Sequence, residues 1–387
     1  MAPPSRILYV QYTNPAGYPP LQHSSRMLAG RGWRVLFLGT GALGADVLRF
    51  PEHPQIREKR LRFQPPGWRQ KGHYLLYCAW VLAHVVLWRP KWVYASDLWS
   101  CPPALIASWR LWVRVLYHEH DSPSGNPRGF QKLCLWARRR LAKRARLCVL
   151  PSEGRARVFA DENKPKRIEV VWNCPAKEEV GPPKPPAAGE RLLLVYHGSI
   201  VPERLPPAVV EALAKLPDPL HFNIIGYETP SSIGYCQQIQ QKARTLGVAH
   251  RLSITKPLSR RELMPISHTA DIGLALMPTR SADINMNHMA GASNKPFDYL
   301  AGGLALLVSD LPEWREMFVK PGYALACDPA DPSSIAGALQ WFLEHPGEMR
   351  AMGEAGRQRI AEEWNYDTQF KRIRQIMNHE MHVDPTD

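Results

Sequence analysis

The sequence predicts an α/β protein built from two doubly wound, parallel-sheet domains. Three observations carry that prediction. The chain has 387 residues, more than a single core usually organises. Short apolar runs alternate with helical patterns through both halves, the pattern of a parallel sheet flanked by helices. Between the halves lies CPAKEEVGPPKPPAAGE, residues 174–190, which is proline-rich and patternless and reads as an interdomain linker.

The elements follow in order. RILYVQY (6–12) reads as a strand, PLQHSSRMLAGRG (20–32) as a helix ending at glycine, and WRVLFLG (33–39) as the next strand. KWVYASD (91–97), VRVLYHEHD (113–121), ARLCVLPSE (145–153) and RIEVVWN (167–173) complete the strand-like runs of the first half. The same grammar restarts with the strand RLLLVYHGS (191–199) and the helix PPAVVEALAKL (206–216). LHFNIIGY (220–227), RLSITK (251–256), DIGLALMP (271–278) and LALLVSD (304–310) are further strands, and CQQIQQKARTLGV (236–248) is a helix. From about Ile335 the pattern is helical. The expected boundaries are 1–175 for the first domain, 176–190 for the linker, 191–362 for the second domain and 363–387 for a terminal segment. In such folds ligands bind beyond the carboxyl ends of the strands, so the cleft between two facing sheets is the expected site.

Lys and Arg outnumber Asp and Glu by 49 to 35, a net charge of +14. Such a surplus favours an anionic partner: nucleic acid, an acidic membrane surface or a phosphorylated small molecule. No helix-turn-helix, zinc-finger or RNA-binding signature is present, so nucleic acid is not an expected partner. The seven cysteines are odd in number and include no C-x-x-C, which argues against a disulfide framework or a zinc site and for a reducing compartment. The start, MAPPSRILYVQY, lacks the basic onset and long apolar run of a signal peptide, so a cytoplasmic location is expected. HYLLYCAWVLAHVVLW (73–88) is short for a membrane span. It reads as a buried helix packed on a sheet, with partial immersion in a membrane interface as the alternative.

One stretch raises a physical question: ASNKPFDYLAGGLALLVSD, residues 292–310. Ser293 and Asn294 suit a helix start, Pro296 its first turn, and Gly302 and Gly303 its end. Lys295 therefore adds a cation where the helix macrodipole is already positive. A phosphate would satisfy both the cation and the free backbone N–H groups. The alternative is a lysine directed to solvent, with Asp298 supporting the first turn. YHGSIVPERLP places Gly198 at the end of a strand and Arg204 soon after, residue types that suit a phosphate. YHEHDSP places His118, Glu119, His120 and Asp121 at another strand end, and YASDLWS places Asp97 at the strand before it. Metal ligation lacks a third ligand there, so a hydrogen-bonding or acid/base histidine is expected. Gly17, in the loop after the first strand, is a further candidate for ligand contact.

With those residues in view, the chain resembles the GT-B glycosyltransferases, in particular the retaining, nucleotide-sugar-dependent enzymes of family 4. NPAGYPPLQHSSRMLAGRGWRVLFLG is similar to the family's opening loop, helix and second strand. VLYHEHDSP resembles its strand-end motif of tyrosine, acids and histidine, with His120 on the family histidine. CVLPSEGRARVF and IEVVWNCP resemble the last segments of its first domain, and VYHGSIVPERLP resembles the turn that opens the second. NKPFDYLAGGLALLVSDLPEW resembles its lysine-acid signature, and EEWNYDTQFKRI resembles its terminal segment.

The resemblance implies a GT-B fold of two Rossmann-like doubly wound domains facing across a cleft, with the 363–387 helix crossing back to the first. It implies a retaining transferase of the hexosyltransferase type, moving a sugar from a nucleotide sugar to a glycan or lipid-linked acceptor. No metal or cofactor is implied. Gly198, Arg204, Asn294 and Lys295 would hold the donor, with Asp298 in place of the family glutamate that grips the ribose. His120 would be catalytic. Gly17, Asp97 and Asn285 would contact acceptor or sugar. The chain departs from the family at Ala290, where a first glutamate often stands, and in the loop SADINMNHMAGAS. That departure keeps two alternatives open: a nucleotide-sugar epimerase, or a non-catalytic nucleotide-sugar-binding protein. The basic run WARRRLAKRAR (136–146) suits peripheral contact with an anionic membrane on its inner face, or a solvated helix face.

Overall fold

The computed structural model describes residues 4–43, 46–110, 112–127, 129–185 and 191–382. The chain divides into two compact units. One holds the residues up to Asn173, the segment Asp283–Ala292 and the segment from Tyr366 on; the other holds Cys174–Ala282 and Ser293–Asn365.

Among the described residues, the first unit contains a seven-stranded sheet: β1 (Arg6–Val10), β2 (Arg34–Thr40), β3 (Ile56–Leu61), β4 (Trp92–Ser96), β5 (Arg114–His118), β6 (Leu147–Leu150) and β7 (Ile168–Val170). Its order is β3-β2-β1-β4-β5-β6-β7, and every pairing is parallel. The helices α1 (Pro19–Ala29), α2 (Trp68–Trp88), α3 (Cys101–Ala107), α4 (Phe130–Arg144) and α5 (Glu153–Asn163) connect the strands.

Alternation along the strands splits the core into two faces. Leu8 and Val10 join Tyr74, Tyr77, Val81 and Val85 of α2 and the buried residues of α3 and α4. Ile7 and Tyr9 join Leu21 and Leu28 of α1, and with them Tyr366, Phe370, Ile373 and Met377 from the C-terminal segment.

The second unit repeats the plan with β8 (Leu192–Ile200), β9 (Leu220–Glu228), β10 (Leu252–Thr255), β11 (Ile272–Ala275), β12 (Ala305–Ser309) and β13 (Ala324–Cys327). The order is β10-β9-β8-β11-β12-β13, again parallel throughout. The helices α6 (Ala208–Ala214), α7 (Tyr235–Thr245), α8 (Arg260–Ser267), α9 (Ile284–Asn287) and α10 (Asn294–Ala301) follow in the chain, α9 lying in the segment that belongs to the first unit. Both sheets have the doubly wound order, which reverses direction at a switch point between β1 and β4 and between β8 and β11.

Four differences from the sequence reading have physical causes. The strands β3 and β13 were not expected. Both are edge strands, and β3, IREKRL, alternates between exposed and part-buried positions; an edge needs no continuous apolar run and is often guarded by charge. The 73–88 helix begins at Trp68 and buries only the stripe Tyr74, Tyr77, Val81 and Val85, while Leu75, Leu76, Val86 and Leu87 are exposed. Among the described residues no helix is long and apolar enough to cross a membrane.

The described part of the expected linker packs on the second unit. The Gly181 N–H donates to Ala301 O at 2.9 Å, Arg357 Nη1 donates to Gly181 O at 3.2 Å, and Lys184 Nζ bonds Ala270 O. Residues 186–190 and 383–387 lie outside the described residues. Finally, Asp283–Ala292, expected in the second domain, packs in the first unit; the anchoring contacts are described below.

Candidate functional site

In the second unit the site is built where strand order reverses. β8 ends in His197, Gly198, Ser199 and Ile200, so Gly198 lies within the strand and not after it. Gly198 has φ +113°, and a Cβ there would meet the Lys295 side chain at 3.3 Å. Its carbonyl is pressed so close to Gly226 of β9 that a Cβ on Gly226 would lie 1.9 Å away. Glycine at 198 thus serves a left-handed backbone and leaves room for the lysine.

Lys295 is the second residue of α10. The Ser293 cap makes no side-chain hydrogen bond to this helix, and its first turn holds no acid. The free N–H groups and the positive end of the macrodipole therefore meet a cation in place of the usual acceptor. Lys295 is 7% exposed. Its ammonium sits 5.3 Å from the centre of the Tyr196 ring, and among the described residues it has no carboxylate or hydrogen-bonding partner. Burial, and then nearby Arg204, pull its pKa down from 10.5 to about 7, against the opposing effect of Asp298. Arg204 Nη1 donates to Ser199 Oγ at 3.2 Å, and its buried Nε has no partner. Asn294 opens the helix and is half-buried. Two cations and an uncapped helix start, with the nearby carboxylate of Asp298 committed to Arg260, form a place for a polyanion.

Asp298 is placed differently from its neighbours. Both its oxygens accept from Arg260, at 2.7 and 3.0 Å, and Arg260 also grips Glu179 at 2.7 and 2.8 Å. Asp298 is 1% exposed. Its carboxylate is thus tied into a buried network that holds α10 to α8 and to the segment after Cys174. His197 Nε2 stands 3.7 Å from Asp298 Oδ2 and makes no hydrogen bond. Burial, with Lys295 and Arg260 nearby, keeps this imidazole neutral by lowering its pKa well below the usual value. Sequence reasoning did not select His197, although it adjoins Gly198 in YHGS.

In the first unit the corresponding place lies beyond β1, β4 and β5. Gly17 ends a short helical turn, Pro15–Gly17, and a Cβ there would meet only Leu48 at 4.0 Å, so the turn does not demand glycine. Asp97 follows β4 with φ +64°, a strained value for a residue with a side chain. Its Oδ1 accepts from the N–H groups of His120, at 2.8 Å, and Asp121, at 3.2 Å; Oδ2 accepts from Gln11 at 3.3 Å. Burial, then Asp121, push its carboxyl well above the usual range, against the pull of those two amides. Asp97 is a brace for the His120 loop.

His120 is 5% exposed and packs on His118 with ring centres 3.9 Å apart and the ring planes tilted by 34°. Neither ring nitrogen of His120 has a hydrogen-bond partner. A buried imidazole with both nitrogens unpaired is costly, and a hydroxyl-bearing ligand would relieve that cost. Burial, then Arg155, lower its pKa to about 3, so it is neutral near pH 7. His118 is different: Nδ1 bonds Tyr94 Oη.

Glu119 faces inward. It takes two bonds from Arg138, at 2.5 and 2.7 Å, and one from Tyr117 Oη at 2.6 Å, which gives it a structural part. Among the described residues no group of three or more His, Cys, Asp or Glu is arranged to hold a metal.

The segment Asp283–Ala292 is held in this unit by Arg155 and Asn285. Arg155 donates to His120 O at 2.7 Å, Asn285 O at 2.9 Å and His288 O at 3.1 Å. Asn285 mimics a strand neighbour: its Oδ1 accepts from Ser122 N and its Nδ2 donates to Ser122 O, both at 2.8 Å. The second Nδ2 hydrogen goes to Asp283 Oδ1 at 2.9 Å. Both amide donors of Asn285 are therefore committed to protein. Arg155 was not selected from sequence, where nothing separates it from Arg146 and Arg157.

Two family models match. Residues 21–174 match a glycosyl transferase 4-like domain, and residues 206–377 match a model described as glycosyl transferase-like. No curated protein matches the chain in sequence. Among solved structures, sucrose-phosphate synthase from Thermosynechococcus elongatus superposes with a TM-score of 0.74 at 13% identity, covering 98% of this chain and 100% of its own. HepE from Anabaena, in complex with UDP and glucose, gives 0.71 at 15%, covering 97% and 100%. WaaG, a glycosyltransferase involved in lipopolysaccharide biosynthesis, gives 0.67 at 13%, covering 96% and 99%. Both units have a Rossmann-like strand order, and the two family matches span most of both units. The chain is a glycosyltransferase of the GT-B fold, resembling family 4.

Proposed function

We propose that the protein is a retaining, metal-independent hexosyltransferase that moves a sugar from a nucleoside diphosphate sugar to a glycan or lipid-linked acceptor. The observation that carries this reading is Lys295: a buried cation beside Arg204, at an uncapped helix start, with no hydrogen-bond acceptor of its own among the described residues and with the nearby charge of Asp298 already paired to Arg260. A diphosphate supplies what that place lacks. The complex of HepE with UDP and glucose supports uridine diphosphate sugars as the first donors to test.

In this reading Gly198, Arg204, Asn294 and Lys295 hold the diphosphate. As the bond from the sugar carbon to the diphosphate oxygen breaks, negative charge grows on the leaving group and is stabilised by preorganised cations and N–H groups. The acceptor hydroxyl attacks the same face, and its proton passes to the departing phosphate oxygen. His120 offers a neutral imidazole to a sugar hydroxyl, so it acts by hydrogen bonding and not as an acid. Asp298 serves through the network that fixes α10. Peripheral contact with an anionic membrane is part of the reading, suited to a lipid-linked acceptor.

Thermal-shift and calorimetric titration with UDP, UMP and a panel of nucleotide sugars tests it, since a ligand of the native state raises its apparent stability. The diphosphate is expected to bind at least tenfold tighter than the monophosphate. Absence of binding by every nucleoside diphosphate overturns the donor site. Conversion of free donor without any acceptor replaces transfer by epimerisation.

A further inference from the structure

We propose that Arg155 is a positioning residue for His120, and that it ties the placement of His120 to the segment Asp283–Ala292, the stretch of chain that leads into Lys295. This link rests on the donor site read at Lys295 above and gives its occupant a hold on the histidine of the other unit.

Arg155 is the third residue of α5 and is 2% exposed. Its guanidinium joins two parts of the chain that are far apart in sequence. Nη1 donates to His120 O at 2.7 Å, Nη2 to Asn285 O at 2.9 Å and Nε to His288 O at 3.1 Å. Three carbonyls from separate peptides need several donors spread over one plane, which arginine has and lysine, with its donors on a single atom, lacks. A buried guanidinium is a costly way to fill space. What it supplies is direction.

Both sides of His120 are fixed as a result. Its N–H is held by Asp97 Oδ1 at 2.8 Å and its C=O by Arg155, while both ring nitrogens are buried without a partner. Two residues on, the Ser122 N–H donates to Asn285 Oδ1 and the Ser122 C=O accepts from Asn285 Nδ2, each at 2.8 Å. The loop from His120 to Ser122 is thus bonded to the segment at two points. A shift of the segment is passed to the backbone that carries the imidazole.

The seat of the segment is shaped to hold it close. A Cβ at Gly154 would lie 2.2 Å from His288 Nδ1, and one at Gly291, where φ is +79°, would lie 2.5 Å from the Trp172 ring and 2.6 Å from Pro151 O. Asn173 secures the end: its N–H donates to Gly291 O and its Nδ2 to Ala292 O, both at 2.7 Å. The next residue, Ser293, is the cap position of α10, and Lys295 is that helix's second residue. The chain therefore runs from the seat straight into the anion site. A diphosphate gathered on the first turn of α10 fixes this short connection, and Arg155 transmits the constraint. The ligand favours the aligned imidazole because it binds that arrangement better.

NMR of the full chain labelled at histidine tests the link, with the His120 signal identified by its absence in His120→Asn and UDP affinity measured on the same samples by calorimetry. UDP is expected to shift the His120 ring signal of the wild type. Arg155→Met should bind UDP as tightly as the wild type but lose the shift, and its kcat for transfer should fall by roughly a hundred-fold, the scale of a misplaced catalytic group, with the donor KM unchanged. Arg155→Lys keeps the charge without the three-way geometry and should behave like the methionine variant. Gly154→Ala disturbs the seat while leaving the Arg155 side chain in place; it should also lose the shift and keep UDP affinity, and it serves where the arginine variants fold poorly. A His120 signal that ignores bound UDP in the wild type, a full shift in Arg155→Met, or recovery by lysine overturns the proposal. So does a lower melting temperature in Arg155→Met with shift and kcat kept, because the arginine is then structural, and so does loss of UDP affinity in that variant, because the arginine then serves the donor. Absence of UDP binding by the wild type overturns the donor site itself, and the link with it.

Discussion

Replacing Lys295 by methionine keeps the aliphatic stem and removes the charge. In the free protein that charge is held under strain: the side chain is 7% exposed, and its pKa lies near 7 instead of 10.5. The unfolded chain therefore binds more protons than the native one between those values, and the contribution of Lys295 to stability rises with pH through that window. Two opposite effects follow from one substitution. Loss of a charge-assisted contact worth about 1.5–3 kcal/mol weakens diphosphate binding roughly ten- to a hundred-fold. The free variant melts at or above the wild-type temperature near pH 7, because an unpaired buried charge is gone. A diphosphate in the site restores the ordinary pKa, so binding takes up a proton above pH 7. Calorimetric titration of UDP at several pH values from 7 to 9, in buffers of different ionisation enthalpy, reads this directly. The nucleotide's own phosphate is already ionised there, its last pKa being about 6. Wild-type affinity should fall across the range and the variant's should not. A wild-type affinity independent of pH, or a variant within two-fold of wild type, refutes the anion site.

Three other substitutions separate binding, chemistry and architecture. Gly198→Ala forces a side chain onto a backbone with φ +113° and against Lys295; it should destabilise the protein by about 1–3 kcal/mol and weaken UDP binding, both visible in one thermal-shift series. His120→Ala should slow transfer by roughly a hundred-fold or more with UDP affinity within two-fold, and His120→Asn should recover part of the rate. Since His120 titrates near pH 3, the wild-type rate should show no inflection from this group between pH 6 and 8, and a fall in melting temperature without a rate effect assigns it a structural part. Arg260→Met leaves Asp298 and Glu179 without their shared partner, so unfolding should become easier by about 3–5 kcal/mol; the replacement Asp298→Asn in that background should return part of the loss.

Much of the fold was legible because central strands of parallel sheets are buried on both faces and read as apolar runs. RILYV, RVLFL and ALLVS are of that kind. The edge strand IREKRL was not legible, since charge on an edge looks like loop. The proline-rich stretch after Cys174 was read by composition, which cannot show that Gly181 and Lys184 bond to the second unit. The placement of 283–292 was equally hidden: sequence order says nothing of Arg155 and Asn285 reaching across more than a hundred residues. At the site, residue type and position led to Lys295, Gly198 and Arg204, and the structure brings these three together in one unit. Asp298 and Asn285 have protein partners that spacing along the chain does not reveal: Arg260 for the one, Ser122 and Asp283 for the other.

The contrast within α10 shows how partner accounting separates function from architecture. Lys295 and Asp298 are three residues apart, both buried, both charged types in an apolar helix. Asp298 spends each oxygen on Arg260, so its environment is complete and removing its partner costs stability. Among the described residues Lys295 has an aromatic face and a neighbouring cation but no hydrogen-bond acceptor, so its environment is complete only when an anion arrives. A helix start without a capping acceptor repeats the same deficit in its backbone. Folding alone gives no reason to keep a lysine there: leucine or methionine would fill the space without the electrostatic cost. The cost is explained by a ligand whose own charge reverses it, and a leaving diphosphate needs that charge most as its bond to the sugar breaks.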